Sequence, residues 1–340
     1  MCRSAAEPGG PKRCSADTRR RYEQAREHVA RLEHELATVQ QDLDASRVYA
    51  SEEAFRAALN ERIRQAAKAE GLSHNDLARR FALQQFVSRL FTAEPDAFVV
   101  TGGTALQFRT SEARPTSDVD LAVTREIADM QSVLIRAAQR RPGEHGEFAI
   151  EVRAVNSSPG VYTGRITYKL NGVRYAVAKI DIASHRELPE APDLVAPDPV
   201  IGIDDTWPLP AVSTYPVAAH LADKLGAWHE RHDGQPSTRA HDLADVVLLS
   251  RSCAVRAEEL RDAIAVQERR RGIAIPATLS LPSPQWRKTY RSRVSQSRLP
   301  ERLHDAEVAL REANVFLGPI LSGQVTAGMW NPVLGTWELT

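Results

Sequence analysis

The run Ala97-Phe-Val-Val-Thr101 ends directly on Gly102-Gly103, and Asp118-Val-Asp-Leu-Ala-Val123 follows after a short interval. The first run is apolar and of strand length. Thr104 to Arg109 reads as helix, Arg114-Pro115 breaks the chain, and the second run alternates polar and apolar residues before it turns apolar. Successive side chains leave a strand on opposite faces, so Asp118 and Asp120 point one way while Val119, Leu121 and Val123 pack the other. A chain built round this pattern cannot be all helix. It needs a sheet with one buried face and one face that keeps carboxylates beside a glycine corner.

The rest of the chain supplies the cover for such a sheet. A helix is expected from Glu53 to Ala69, ended by Gly71, and another from Ser73, where Ser-x-x-Asp76 reads as a capping box and Leu77, Phe81 and Leu90 share a face. Val161–Leu170 and Val173–Ile182 flank Asn171-Gly172, a dipeptide that accepts positive φ at both turn positions and so favours a tight hairpin. On the second of these strands Asp181 shares its face with Tyr175, Val177 and Lys179, opposite Ala176, Ala178, Ile180 and Ile182. Proline and acid fill 189–210, an irregular connector. Helical pattern resumes near Pro216, with Ala218, Leu221, Leu225 and Trp228 on one face, and again from His241 to Leu249. The fold class expected is α/β (α+β): a mixed sheet, N-terminal helices and a mainly helical C-terminal region.

At the N-terminus, residues 1–17 lack periodicity and read as a disordered tail. Tyr22, Val29, Leu36 and Leu43 recur every seven residues with Ala25, Leu32 and Val39 between them. This heptad seam over 18–50 fits either a coiled-coil arm for self-association or a long helix laid on its own domain. The divisions that follow are 51–188 for the core and its preceding helices, 189–250 for the connector and next helices, and 251–340 for a basic, mainly helical region.

Composition narrows the class of protein. With 42% hydrophobic and 26% charged residues over 340 positions, collagen-like and wholly disordered chains are excluded. Lys+Arg and Asp+Glu both total 44, so attraction to a polyanion must come from local placement of charge. Residues 251–303 carry twelve Arg or Lys against five acids, and Trp286 and Tyr290 stand among them. That segment is either a grip for RNA phosphates and bases or a solvated basic face. Three scattered cysteines give no disulfide framework, and no apolar run approaches the ~20 residues of a membrane helix; a cytoplasmic protein is expected. His220, His229, His232 and His241 lack zinc-site spacing and read as solvated polar residues.

Chemistry converges on the glycine corner. Two like charges two residues apart repel unless a cation sits between them, and hard oxygen ligands suit Mg²⁺, which is held jointly by carboxylates and substrate phosphates. A third carboxylate, Asp181, can reach the same ions from the hairpin. Bare amides at Gly102-Gly103-Thr104, where strand meets helix, offer an anion site that a triphosphate can approach. Together these features describe a two-metal nucleotidyl-transfer site.

Phe98-Val-Val-Thr-Gly-Gly-Thr-Ala-Leu106 and Arg114-Pro-Thr-Ser-Asp-Val-Asp-Leu121 resemble the signature of the AbiEii/AbiGii (MenT-like) nucleotidyltransferase toxins, of the DNA polymerase β-like superfamily. Ala222-Asp-Lys-Leu-Gly-Ala-Trp-His-Glu-Arg231 is similar to that family's helical lysine motif, and Arg239-Ala-His-Asp-Leu-Ala-Asp245 to its Arg/Asp motif. The resemblance spans roughly 53–340. It implies that Asp118, Asp120, Lys224 and Asp242 are catalytic, that Gly102, Gly103, Thr104 and Lys224 bind the nucleotide, and that Asp118 and Asp120 hold Mg²⁺, or Mn²⁺ in its place; Asp181, placed by the strand pattern, ranks third among the metal-binding acids. It further implies an NTP substrate, NMP transfer to the 3′ end of tRNA with loss of aminoacylation, and a toxin or phage-defence role under a neighbouring AbiEi-like antitoxin. The alternatives are transfer to a small-molecule or protein hydroxyl, or a catalytically silent RNA- or antitoxin-binding module.

Overall fold

The computed structural model describes residues 28, 29, 31, 32, 35, 39, 47–183, 191–295 and 297–339. The tail at 1–17 lies outside them, as does most of the heptad segment; of the latter, Val29, Leu32 and Val39 are helical and exposed. Among the described residues no helix is long and apolar enough to cross a membrane.

From Tyr49 to Thr340 the chain is one compact unit. It opens with helices α1 (Glu52–Glu70) and α2 (His74–Ala93), followed by β1 (Phe98–Thr101), α3 (Gly102–Arg109), β2 (Asp118–Val123) and α4 (Met130–Ala137). Next come β3 (Glu147–Ala154), β4 (Val161–Leu170), β5 (Val173–Ala183), β6 (Asp193–Val195) and β7 (Val212–Thr214). The helical half holds α5 (Val217–His229), α6 (His241–Ser252), α7 (Ala257–Arg271), α8 (Gln285–Val294) and α9 (Ala306–Leu321), with short ribbons between and after them.

Local chemistry accounts for the boundaries. Ser51 caps α1 by accepting from the Ala54 N–H, and Gly71 closes it at φ +66°. Asn171 and Gly172 take φ of +54° and +69°, the turn expected between β4 and β5. The capping box expected at Ser73 does not form: the Ser73 side chain makes no cap bond, and the Asp76 carboxylate is drawn instead to Arg79 at 2.9 Å. β3 is an addition to the sequence reading, although Phe148, Ile150 and Val152 carry the alternation that marks it. Within the irregular connector, β6 adds an edge strand whose Asp193 accepts from Arg109 at 2.7 Å.

The sheet runs β3-β4-β5-β2-β1-β7-β6 and is mixed: β2 pairs parallel with β5 and antiparallel with β1, while β1 pairs parallel with β7. Its two faces differ. Val119, Leu121, Ile150, Ile166, Ala178, Ile180 and Ile182 pack with Leu83, Phe86, Leu90, Met130 and Leu134 of α2 and α4. On the other face, among the described residues, a small cluster of Val99 and Ala122 with Tyr215 and Ala219 seats α5 over β1 and β2. The helical half buries its own core, which includes Leu106, Leu221, Leu225, Trp228, Leu243, Trp286, Tyr290, Phe316 and Trp330. Burial of Trp286 and Tyr290 overturns the reading of these rings as base-stacking groups. Both lie on the inner face of amphipathic α8, and the Tyr290 hydroxyl donates to the Leu303 carbonyl.

One buried ion pair joins α2 to the segment before β3. The Arg89 and Glu144 side chains are each 1% exposed and approach to 3.0 Å, and Arg89 also donates to the carbonyls of Ala138 and Gly146. Burial pushes the guanidinium pKa down against the pull of Glu144. Removing one partner of such a pair strands the other charge, so Arg89→Met is expected to cost about 3 kcal/mol in denaturant unfolding. Unchanged stability would mean that Arg141, 2.7 Å from Glu144, neutralises it unaided.

Candidate active site

β1 passes into α3 without an intervening loop, and Gly102 takes φ +59° at the junction. Thr101 pairs with Asp120 across the strands, which brings the corner against the second acid. A Cβ on residue 102 would lie 1.9 Å from Asp120 Oδ2, and one on residue 103 would lie 3.0 Å from Thr116 Oγ1. Glycine at 102 is therefore required by close approach and by its φ, and a side chain at 103 would press tightly on Thr116. Thr101, the N-cap, supplies no side-chain bond, so the first-turn amides of α3 have no cap from it, and a helix N-terminus favours an anion there. Thr104 is fully buried and its hydroxyl donates to the Asp118 carbonyl at 2.8 Å, which leaves it only a backbone N–H to offer a ligand.

The three aspartates share one sheet face. Asp120 is the register partner of Asp181 and Asp118 that of Lys179, so the carboxylates sit on adjacent parallel strands. Asp181 Oδ1 accepts from Thr163 Oγ1 at 2.6 Å, and Asp118 Oδ1 accepts from Ser117 Oγ at 2.9 Å. Among the described residues no group of three or more acid, His or Cys side chains closes into a ready metal cage. The donor set nevertheless fits Mg²⁺, which commonly takes one or two carboxylates and completes its shell from substrate phosphates and water.

Lys224 reaches the same site from α5. Its Nζ lies 3.1 Å from Asp242 Oδ1 and 2.5 Å from Asp245 Oδ2, with both acids buried on α6. Arg239 Nε meets the other oxygen of Asp242 at 2.7 Å, and Arg114 Nε meets Asp245 at 3.2 Å. Burial by itself would lower the lysine pKa, but the combined attraction of Asp245 and Asp242 outweighs it and holds the ammonium above its ordinary value. Burial opposes ionisation of both aspartates as well; Lys224, with Arg114 at Asp245 and Arg239 at Asp242, overcomes that and depresses them. His241, pushed by burial down to about 4, is neutral at pH 7. Three cations thus face two acids, an excess of one positive charge.

A cavity of about 410 Å³ joins these pieces, with Gly102, Asp120, Asp181 and Lys224 in its wall. Asp118, Gly103, Thr104 and Asp242 do not line it. His220, Asp223, Glu230 and Arg271, assigned no role in this site from sequence, also line it. His220 is buried, contrary to its reading as a solvated side chain. Arg271 enters from the end of α7, ion-paired with Glu230, and a Cβ on Gly226 would lie 2.7 Å from its Nε. Asp245 was visible in the Arg/Asp motif; its spacing of three from Asp242 on a helix was the signal that both acids share a face.

Within this setting the comparisons are specific. The family model for "Nucleotidyl transferase AbiEii toxin, Type IV TA system" matches residues 82–312, well over half of the chain. The chain belongs to that family and is a nucleotidyltransferase of the toxin–antitoxin class. Among solved structures it is similar to MenT4, a nucleotidyltransferase toxin from Mycobacterium tuberculosis H37Rv: 17% identity, TM-score 0.51, 78% of this chain and 89% of that one. This likeness is one of fold. JHP933 from Helicobacter pylori matches at 16% identity and TM-score 0.44, over 74% of this chain and 96% of that one. No curated protein matches the sequence significantly.

The cation cluster has a pH signature. Because Asp242 and Asp245 titrate lower folded than unfolded, their stabilisation is complete above the unfolded value near 4 and is lost as pH falls further. Asp245→Asn is expected to lower unfolding stability by about 3 kcal/mol at pH 7. The gap from wild type should narrow below about pH 4; a gap independent of pH would assign the loss to packing.

Proposed function

We propose that the protein transfers NMP from an NTP to the 3′-hydroxyl of an RNA, with the acceptor end of tRNA as the physiological target. The transfer makes it the toxin of a pair restrained by an AbiEi-like antitoxin. The observation that carries this reading is the close approach of the Gly102 backbone to Asp120, with Asp118 and Asp181 on the same sheet face and Lys224 in the same cavity.

The residues divide the work. Amides of Gly102, Gly103 and Thr104 bind the β- and γ-phosphates at the helix N-terminus, and the glycine surface lets the tail lie flat against the corner. Asp118 and Asp120 would hold Mg²⁺, with Asp181 at its margin. When bound, the ion neutralises phosphate charge and eases ionisation of the attacking hydroxyl. Lys224, kept charged by Asp242 and Asp245, presents a fixed positive field to the leaving pyrophosphate without reorganising. In the transfer the 3′-oxygen bonds to the α-phosphorus, the α–β anhydride bond breaks and pyrophosphate departs. The hydroxyl proton passes to Asp181, whose other oxygen Thr163 holds in place. Asp242 acts through Lys224 and Arg239, as a positioning residue.

Asp118→Ala and Asp120→Ala are each expected to reduce incorporation of α-labelled NTP into total tRNA to background with the melting temperature retained. Incorporation by either variant at the wild-type rate would refute the site. Label appearing in protein or small molecules while RNA stays unlabelled would replace the acceptor.

A further inference from the structure

Two rows of side chains cross the face that carries the aspartates. Register pairs Arg153 with Thr163, Thr163 with Asp181, and Asp181 with Asp120, so these four stand in line from β3 to β2. One step along the strands, Glu151, Arg165, Lys179 and Asp118 form the second line. Helix α5 covers this face only over β1 and β2, and the apolar layer of α2 and α4 lies on the opposite side. Among the described residues the face is open over β3, β4 and β5, and Arg153, Arg165 and Lys179 are exposed on it. They line a second cavity of about 580 Å³, and Asp181 belongs to its wall and to that of the first cavity.

Position beside Asp181 sets these cations apart from the basic C-terminal segment. In that segment Arg251 and Arg302 are bound by Glu312, Arg256 by Glu259, Arg271 by Glu230, Arg287 by Glu307 and Arg298 by Glu70. Arg261, Arg269, Arg270, Lys288, Arg291 and Arg293 form no ion pair among the described residues, but none of them lines a cavity that holds Asp120 or Asp181. Among the described residues the side chains of Arg153, Arg165 and Lys179 form no ion pair or hydrogen bond, even though Glu151 stands opposite Arg165 in register. Three unneutralised cations on a shelf that leads to Asp181 fit a polyanion whose reacting end must reach the carboxylates.

On the transfer reading above, we propose that this shelf is the acceptor track. The phosphodiester groups just behind the 3′-terminal nucleotide would lie on Arg153, Arg165 and Lys179, and the terminal hydroxyl would pass Asp181 to meet the nucleotide held at Gly102. Strands lie about 4.8 Å apart, which puts the Arg153 backbone about 10 Å from that of Asp181 and within reach of the adjoining nucleotides for an arginine side chain. Donor and acceptor then approach from opposite sides of the Asp120–Asp181 pair. Lys224, Arg239 and Arg271 serve the triphosphate side, and the shelf serves the strand.

The test is a charge reversal, Arg153→Glu/Arg165→Glu/Lys179→Glu, with the three single alanine variants as milder controls for folding. Affinity for a fluorescent single-stranded RNA ending in a 3′-hydroxyl is measured by anisotropy at several salt concentrations, alongside affinity for NTP. Expected are a fall of at least tenfold in RNA affinity and a log–log salt slope shallower by about 2, from three contacts at about 0.7 each, with NTP affinity unchanged. The alanine variants should fall between. RNA affinity and slope equal to wild type would overturn the track, and a loss confined to NTP would reassign the shelf to the donor. RNA binding that depends on the shelf in a protein that transfers no NMP would sustain the track and refute the transfer chemistry.

Discussion

Backbone and carboxylate can approach at residues 102 and 120 because position 102 has no side chain. Any Cβ there would overlap the Asp120 oxygen at 1.9 Å, so the corner and the acid could not both stay where they are. Everything else in the site is arranged about this contact. The parallel pairing of β2 with β5 adds Asp181, the antiparallel pairing with β1 adds the helix N-terminus, and α5, seated on the remaining apolar cluster, adds Lys224.

The electrostatic design separates two ways of using charge. Lys224, Asp242 and Asp245 are almost wholly buried, and such a cluster survives only when each member is paired. Its return is a cation held in place by two acids at the cavity wall. On the β3–β5 face the cations are exposed and, among the described residues, unpaired, where water meets the cost of their charge and a polyanion can displace it. On the proposed transfer, a rigid field would serve the reacting phosphate and an adaptable one a long substrate.

Much of the core was legible because its signals are local. Strand, glycine pair and Asp-x-Asp lie within 98–123, and Asn171-Gly172 dictates its own hairpin. What escaped depends on contacts between distant segments. Glu312, Glu230 and Glu70 cancel arginines that a running charge count leaves bare, and Trp286 and Tyr290 are hidden by packing that composition does not reveal. The rows of Arg153 and Arg165 exist only through the register of three strands. Ser73 shows the reverse failure: a local capping signal was present, but Arg79 competed successfully for Asp76.

The account is tested most directly by a crystal structure with Mn²⁺ and a non-hydrolysable NTP analogue, the metal located by anomalous scattering. It predicts metal density at the Asp118 and Asp120 oxygens and the triphosphate tail against the amides of Gly102, Gly103 and Thr104, with Lys224 facing the phosphates. Metal bound elsewhere, or a triphosphate seated away from the glycine corner, would contradict it.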